Sequence, residues 1–173
     1  MTKALVVIDL VEDFLSPSGP LYLGPEAARV VPAAAEELER ARARGWPVVF
    51  VCDSHREGDP EFVLWPAHCL CGSPGAAVVA ELAPRPGEPI IAKRRYSAFF
   101  GTDLDLTLRE RGVKEIVLVG VCTNICVLYT AADARMRNYA VTVMAPATAS
   151  FDQAAHEFAL RQMETVLGCR VRR

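Results

Sequence analysis

Ile116-Val117-Leu118-Val119 runs directly into Gly120-Val121-Cys122-Thr123-Asn124-Ile125-Cys126, and a helical spacing of apolar residues continues from Thr123 to Asn138. A short apolar run, a glycine turn and a helical period make a strand–turn–helix unit. The unit recurs along the chain. Apolar runs at Ala4–Ile8, Val48–Cys52, Pro89–Ala92 and Ala140–Met144 alternate with helical stretches at Pro25–Arg44, Asp103–Arg111 and Asp152–Leu167, and a short last strand is expected around Cys169–Arg172. Gly45 and Gly112 stand where two of these helices should stop. Most of the runs are continuous rather than alternating, as in strands covered on both faces. The pattern predicts an α/β protein with three layers, α/β/α, around a Rossmann-like, mostly parallel sheet of five to six strands. No repeat, composition shift or Gly/Ser-rich linker divides it, so residues 1–173 are read as a single domain.

The totals exclude several function classes. A net charge of −2 gives no electrostatic reason to expect nucleic acid or an anionic membrane as partner. No segment approaches the roughly 20 apolar residues that span a bilayer. Met1-Thr2-Lys3 ahead of the first strand does not have the pattern of a signal peptide, and a cytoplasmic location is expected. Six cysteines at 52, 69, 71, 122, 126 and 169 lack the regularity of a disulfide framework and are read as thiols or metal ligands.

In open α/β sheets, ligands bind beyond the carboxyl ends of the strands. The residues that close the strands here are Asp9, Asp53, Lys93 and the turn leading to Cys126. Fold geometry should therefore gather two carboxylates, a lysine and a thiol at one edge. Cys126 falls in the first turn of a helix expected to begin near Thr123, where free backbone N–H groups and the helix dipole lower a thiol's pKa and can hold an oxyanion. Two readings of it stand side by side, a nucleophile or a packed structural cysteine. Asp9 is either a desolvated proton carrier or the cap of a turn. Lys93 either snorkels from the sheet end or holds Cys126 as thiolate.

The longest irregular stretch, Asp53 to about Pro74, is long for a loop in a compact domain and holds Trp65, His55, His68 and two cysteines. Asp53, His55 and His68 suit Zn²⁺ or Fe²⁺ with positions left open, against the alternative of two surface histidines. Rival sites built from Cys69, Cys71 and His68, or from Cys122 and Cys126, rank lower. His156, on a helical stretch, is read as solvent-facing.

In this order, Val6-Val7-Ile8-Asp9 with Asp13-Phe14, Asp53-x-His55, Trp65-Pro66-Ala67-His68-Cys69, Gly72-Ser73-Pro74-Gly75-Ala76, Lys93 and Gly120–Val127 resemble the isochorismatase-like cysteine hydrolase superfamily over nearly the whole chain. Within it they are most similar to the nicotinamidases, or pyrazinamidases. The resemblance implies a catalytic triad of Asp9, Lys93 and Cys126, and an oxyanion hole from the backbone N–H groups of Cys122 and Cys126 beside a cis Val121–Cys122 peptide. It implies metal ligation by Asp53, His55 and His68, usually to Zn²⁺ with Fe²⁺ or Mn²⁺ as alternatives. Phe14, Trp65 and Tyr96 would line a pocket for a flat ring. The implied substrate is a small amide, nicotinamide foremost with pyrazinamide as its analogue, and the implied assembly a homo-oligomer. A metal-free relative acting on another small amide or an enol ether is the alternative. Val11 and Glu12 stand where many members have Gln and Asn, and Asn124 where an acidic residue is frequent. Glu61, inside the compact Asp53–His68 loop, is a candidate further metal ligand or a partner of one.

Overall fold

The computed structural model describes residues 2–173. Strand β1 (Thr2–Ile8) leads through one helical turn, α1 (Glu12–Leu15), into α2 (Pro25–Ala43) and β2 (Val48–Asp53). A long connection with 3₁₀ turns at Pro60–Val63, Pro74–Ala76 and Ala80–Leu82 follows, then β3 (Ile90–Lys93) and α3 (Leu104–Glu110). Strand β4 (Val113–Val121) passes through a π-helical turn (Thr123–Val127) into α4 (Leu128–Met136). Strand β5 (Ala140–Ala149), α5 (Gln153–Thr165) and β6 (Arg170–Arg172) complete the chain.

The sheet has the order β3-β2-β1-β4-β5-β6 and every pairing is parallel. The order reverses between β1 and β4, which is where a doubly wound sheet opens a crevice. Helices α1 and α2 cover one face against Leu5, Val7, Phe50, Val117 and Val119. Helices α3, α4 and α5 cover the other against Val6, Ile8, Val49, Ile116 and Leu118. The continuous apolar runs thus report two covered faces, and only the edge strand β3 alternates between buried and exposed positions.

Local chemistry sets the element ends. Pro25 opens α2, where its missing N–H costs nothing, and Asp152 caps α5 by accepting the Ala155 N–H at 2.7 Å. Strand β5 runs beyond the expected Met144 and passes Pro146, which cannot donate to the ladder. A register shift against β4 between Leu118 and Gly120 absorbs the irregularity. Gly120 has φ +130°, and a Cβ there would lie 2.0 Å from the Ile8 carbonyl oxygen, so no other residue fits. The helix expected from Thr123 begins instead as a π turn, in which the Cys122 carbonyl accepts N–H groups from both Ile125 (3.0 Å) and Val127 (3.2 Å). No helix among the described residues is long and apolar enough to cross a membrane.

Candidate active site and metal centre

Register brings the strand-end residues together. Asp53 pairs directly with Lys93 across β2 and β3, and the Asp53 N–H donates to Asp9 Oδ1 at 2.8 Å. Lys93 Nζ lies 2.5 Å from Asp53 Oδ1, 2.8 Å from Asp9 Oδ2 and 3.4 Å from Cys126 Sγ. One buried ammonium thus joins both carboxylates and the thiol. The four residues are buried, and Asp9 is held at φ +51°, a left-handed conformation that a non-glycine residue seldom adopts.

The charges follow from that burial. Burial would strip Lys93 of its proton, but Asp53 and Asp9 outweigh it and hold the ammonium charged. Burial would also raise Asp53, yet the attraction of Lys93 wins and keeps it ionised. Asp9 is pushed up to about 6 by burial and then by the neighbouring Asp53 charge, with Lys93 opposing. Its Oδ2 is close to Lys93 but has no aligned hydrogen bond, so it is the free base atom of the cluster. Cys126 corrects the expectation of a lowered thiol. Burial pushes it well above the ordinary range, Lys93 pulls it down, and the two carboxylates push it back up. The resting group is a thiol beside a carboxylate.

Beside this cluster the Asp53–Pro74 connection folds into a second one. The His55 N–H donates to the Cys69 carbonyl and the Cys71 N–H to the His55 carbonyl, both at 2.8 Å, so the two arms of the loop run side by side. Asp13 fixes the returning arm by accepting the Cys69 N–H at 2.6 Å, and Gly75 packs so closely on that carboxylate that a Cβ would lie 2.3 Å from it. His55 Nε2 is 3.8 Å from Asp53 Oδ2, and His68 Nε2 is 3.7 Å from the same oxygen. Glu61 Oε1 lies 3.9 Å from His55 Nε2. The opposite ring nitrogens are already engaged, His55 Nδ1 with Asp59 Oδ2 at 3.2 Å and His68 Nδ1 with the Pro66 carbonyl at 2.8 Å. Both Nε2 atoms therefore face inward, and that of His55 is buried without any partner. An inward lone pair of this kind, held by an outer acceptor and lying beside a carboxylate, fits a divalent metal ion. The buried group Asp53, His55 and His68 is consistent with a metal site.

Phe14, Trp65 and Tyr96 do line a slot that opens on Cys126, Cys122, Asp53 and His68. Trp65 Nε1–H donates to the Tyr96 hydroxyl at 3.1 Å, which fixes one wall. Leu21, Ile125 and Phe151 complete the lining. Sequence reasoning missed all three. Phe151 directly follows β5 and Ser150, so the strand-end rule that found Asp9 could have found it. Phe62, which packs edge-on against both imidazoles, was missed as well, although it lies in the loop already singled out.

The Val121–Cys122 peptide is cis. The rival thiol sites do not form: Cys71 is exposed, Cys69 turns its sulfur toward the Gly75 carbonyl, and all six cysteines are free. His156 is not solvent-facing. It is buried, its Nδ1 is 2.8 Å from the Thr123 hydroxyl behind the turn that carries Cys126, and burial lowers its pKa.

Residues 3–171 match the isochorismatase domain. The chain belongs to the isochorismatase family. This family member is 40% identical to the pyrazinamidase/nicotinamidase of Streptococcus mutans UA159, with a TM-score of 0.94 over 99% of this chain and 100% of that one. It is also 40% identical to the N-carbamoylsarcosine amidase of Thermoplasma acidophilum, with a TM-score of 0.90 over 100% of this chain and 96% of that one. The pyrazinamidase of Pyrococcus horikoshii in complex with zinc is 32% identical, with a TM-score of 0.93 over 100% of this chain and 99% of that one. An isochorismatase-family hydrolase is thus built around a buried Asp9–Lys93–Cys126 cluster and an adjoining Asp–His–His group.

Proposed function

We propose that the chain acts as one domain to hydrolyse nicotinamide to nicotinate and ammonia, with pyrazinamide as an analogue substrate, through a thioester on Cys126. The observation that carries this reading is the shared ammonium of Lys93. It ties a thiol–carboxylate pair to a three-ligand metal cluster at the floor of one aromatic slot. The likeness to the Streptococcus mutans pyrazinamidase/nicotinamidase over the whole chain and to a zinc-bound pyrazinamidase supports it.

The steps fall to this chain's own residues. Phe14, Trp65 and Tyr96 hold a flat ring so that its carboxamide lies over Cys126, an orientation effect. Asp9 Oδ2 accepts the thiol proton, and the Cys126 sulfur attacks the amide carbon. A carboxylate with a pKa near 6 is mostly ionised at neutral pH yet basic enough to take and return a proton. The ammonium of Lys93 balances charge on whichever partner holds it. Backbone N–H groups of Cys122 and Cys126 receive the oxyanion. Asp9 returns the proton to the departing ammonia, takes one from the water that attacks the thioester, and gives it to the Cys126 sulfur as the C–S bond breaks and nicotinate is freed. A metal ion held by Asp53, His55 and His68 supplies, when bound, a Lewis-acid position suited to a pyridine nitrogen.

A second reading has a specific basis, the equal identity to an N-carbamoylsarcosine amidase. The slot argues against a carboxylate-bearing substrate, because its charged lining residues include Asp53 and Glu61 but no arginine or lysine. Ammonia release from nicotinamide, pyrazinamide, benzamide and N-carbamoylsarcosine, with and without chelator, tests both. Nicotinamide should be turned over far faster than benzamide, which has the same shape without the ring nitrogen, and chelation should erase the difference. A protein without stoichiometric metal that treats the two alike is a metal-free amidase instead.

A further inference from the structure

Asp59 touches neither the slot nor the nucleophile, yet its side chain is wholly buried. Its two oxygens share Arg95 Nη1 but otherwise have different partners. Oδ1 accepts the Glu61 N–H at 3.0 Å, which caps the 3₁₀ turn Pro60–Val63, and the Arg95 Nη1 at 3.0 Å. Oδ2 faces His55 Nδ1 at 3.2 Å and also accepts from the same Arg95 Nη1 at 3.3 Å. An ionised carboxylate can only accept hydrogen bonds, so the hydrogen of that contact sits on His55 Nδ1. In the neutral imidazole, the form that binds a metal, Nε2 is then left with its lone pair, and this is the buried, partnerless atom that faces Asp53.

We infer that Asp59 is a positioning residue that sets the metal affinity of the site by locking His55 in the tautomer whose Nε2 can ligate. The inference rests on the metal reading proposed above. Arg95 contributes less, since its side chain is 40% exposed and it touches the carboxylate but not the imidazole.

Asp59→Asn separates this role from the capping role. The amide oxygen, placed at Oδ1, still accepts from the Glu61 N–H and Arg95. The amide NH₂, placed at Oδ2, then presents hydrogens to His55 Nδ1. The imidazole must move its proton to Nε2, the ligating atom. Flipping the amide would instead turn NH₂ toward two donors, so no arrangement satisfies the capping end and also keeps the proton on His55 Nδ1.

The test is a chelator-competition titration of the full chain with Zn²⁺ at neutral pH, with thermal unfolding and imidazole ¹⁵N spectra of the metal-free proteins. Asp59→Asn should bind Zn²⁺ about 10- to 100-fold more weakly. Its metal-free melting temperature should stay near that of the wild type, and the His55 proton should shift from Nδ1 to Nε2. Arg95→Met should stay within about fivefold. Unchanged affinity in Asp59→Asn overturns the inference, as does a loss of affinity that tracks a lower melting temperature with no change of tautomer. If Asp59→Asn does not fold, the wild-type spectrum decides: a neutral His55 imidazole with its single proton on Nε2 in the metal-free protein overturns the inference. A wild type that takes up no Zn²⁺ overturns the metal reading itself, which is seen before any variant is compared.

Discussion

The two halves of the site are held by different means. Asp9, Lys93 and Cys126 stand at the ends of β1, β3 and the turn after β4, so parallel ladders and a two-sided core fix their spacing. His55, His68, Glu61 and Trp65 stand on a connection with no strand of its own. That connection is fixed by single ties: Asp13 to the Cys69 N–H, Asp59 to His55, the Pro66 carbonyl to His68 and the Tyr96 hydroxyl to Trp65. The first half sits where the fold alone would place it. The second depends on a handful of side chains, and it supplies Glu61, Trp65 and His68 to the lining of the slot. Chemistry and recognition can therefore be damaged separately.

The largest effects should come from the ladder-held half. Cys126→Ala should abolish ammonia release, by on the order of 10⁴-fold or more, with the fold intact by circular dichroism. Asp9→Asn should be nearly as damaging, since an amide cannot carry the proton. Near-normal rates in either variant would remove the covalent mechanism. The loop-held half should respond differently. His55→Ala and His68→Ala should each lose bound metal, read by elemental analysis, together with the preference for nicotinamide over benzamide. Cys126 in those variants should still react with iodoacetamide. If alkylation were lost along with the metal, the two halves would not be separable. Trp65→Ala should raise KM about 10-fold, the loss of one aromatic wall, without changing metal content. A fall in metal content there would mean that the wall and the metal site are one unit.

The smallest effect concerns the back of the nucleophile turn. His156 faces Thr123, with Glu26, Arg29 and Glu157 as its charged neighbours. Its pKa is lowered in the folded protein, so below about pH 6.5 the unfolded chain takes up a proton that the folded one refuses. This contribution to stability is present above that pH and is lost as pH falls toward the folded pKa. Denaturant unfolding between pH 7.5 and 5.5 should show a shallower loss of stability for His156→Gln than for the wild type. Parallel slopes would mean that the imidazole titrates alike in both states.

Much of this was legible from residue order. Continuous apolar runs reported a sheet covered on both faces, and the strand-end rule brought Asp9, Asp53, Lys93 and Cys126 to one edge before any coordinate was known. What stayed hidden depends on packing across the sequence. His156 stands on the buried stripe of Gln153–Thr165 with Ala159, Leu160 and Met163, so the spacing carried its inward turn, and only its Thr123 partner, 33 residues away on another element, was hidden. The thiol of Cys126 was misread because a helix N-terminus and one lysine were counted, while complete burial and two carboxylates were not. Leu21 and Phe151 reach the slot from connections, where apolar residues carry no period, and Ile125 reaches it from the π-helical turn after β4.

Gly120 has a practical use for anyone searching genomes for proteins of this kind. A side chain there would occupy the space of the Ile8 carbonyl, whatever molecule the slot accepts. The glycine six residues before the cysteine is thus a geometric requirement of the crossing between β1 and β4. His55 and His68, by contrast, stand on a connection outside the sheet and are not bound by that packing. A search template anchored on Asp9, Gly120 and Cys126 should gather chains across many substrates, and adding Asp53, His55 and His68 should then sort them.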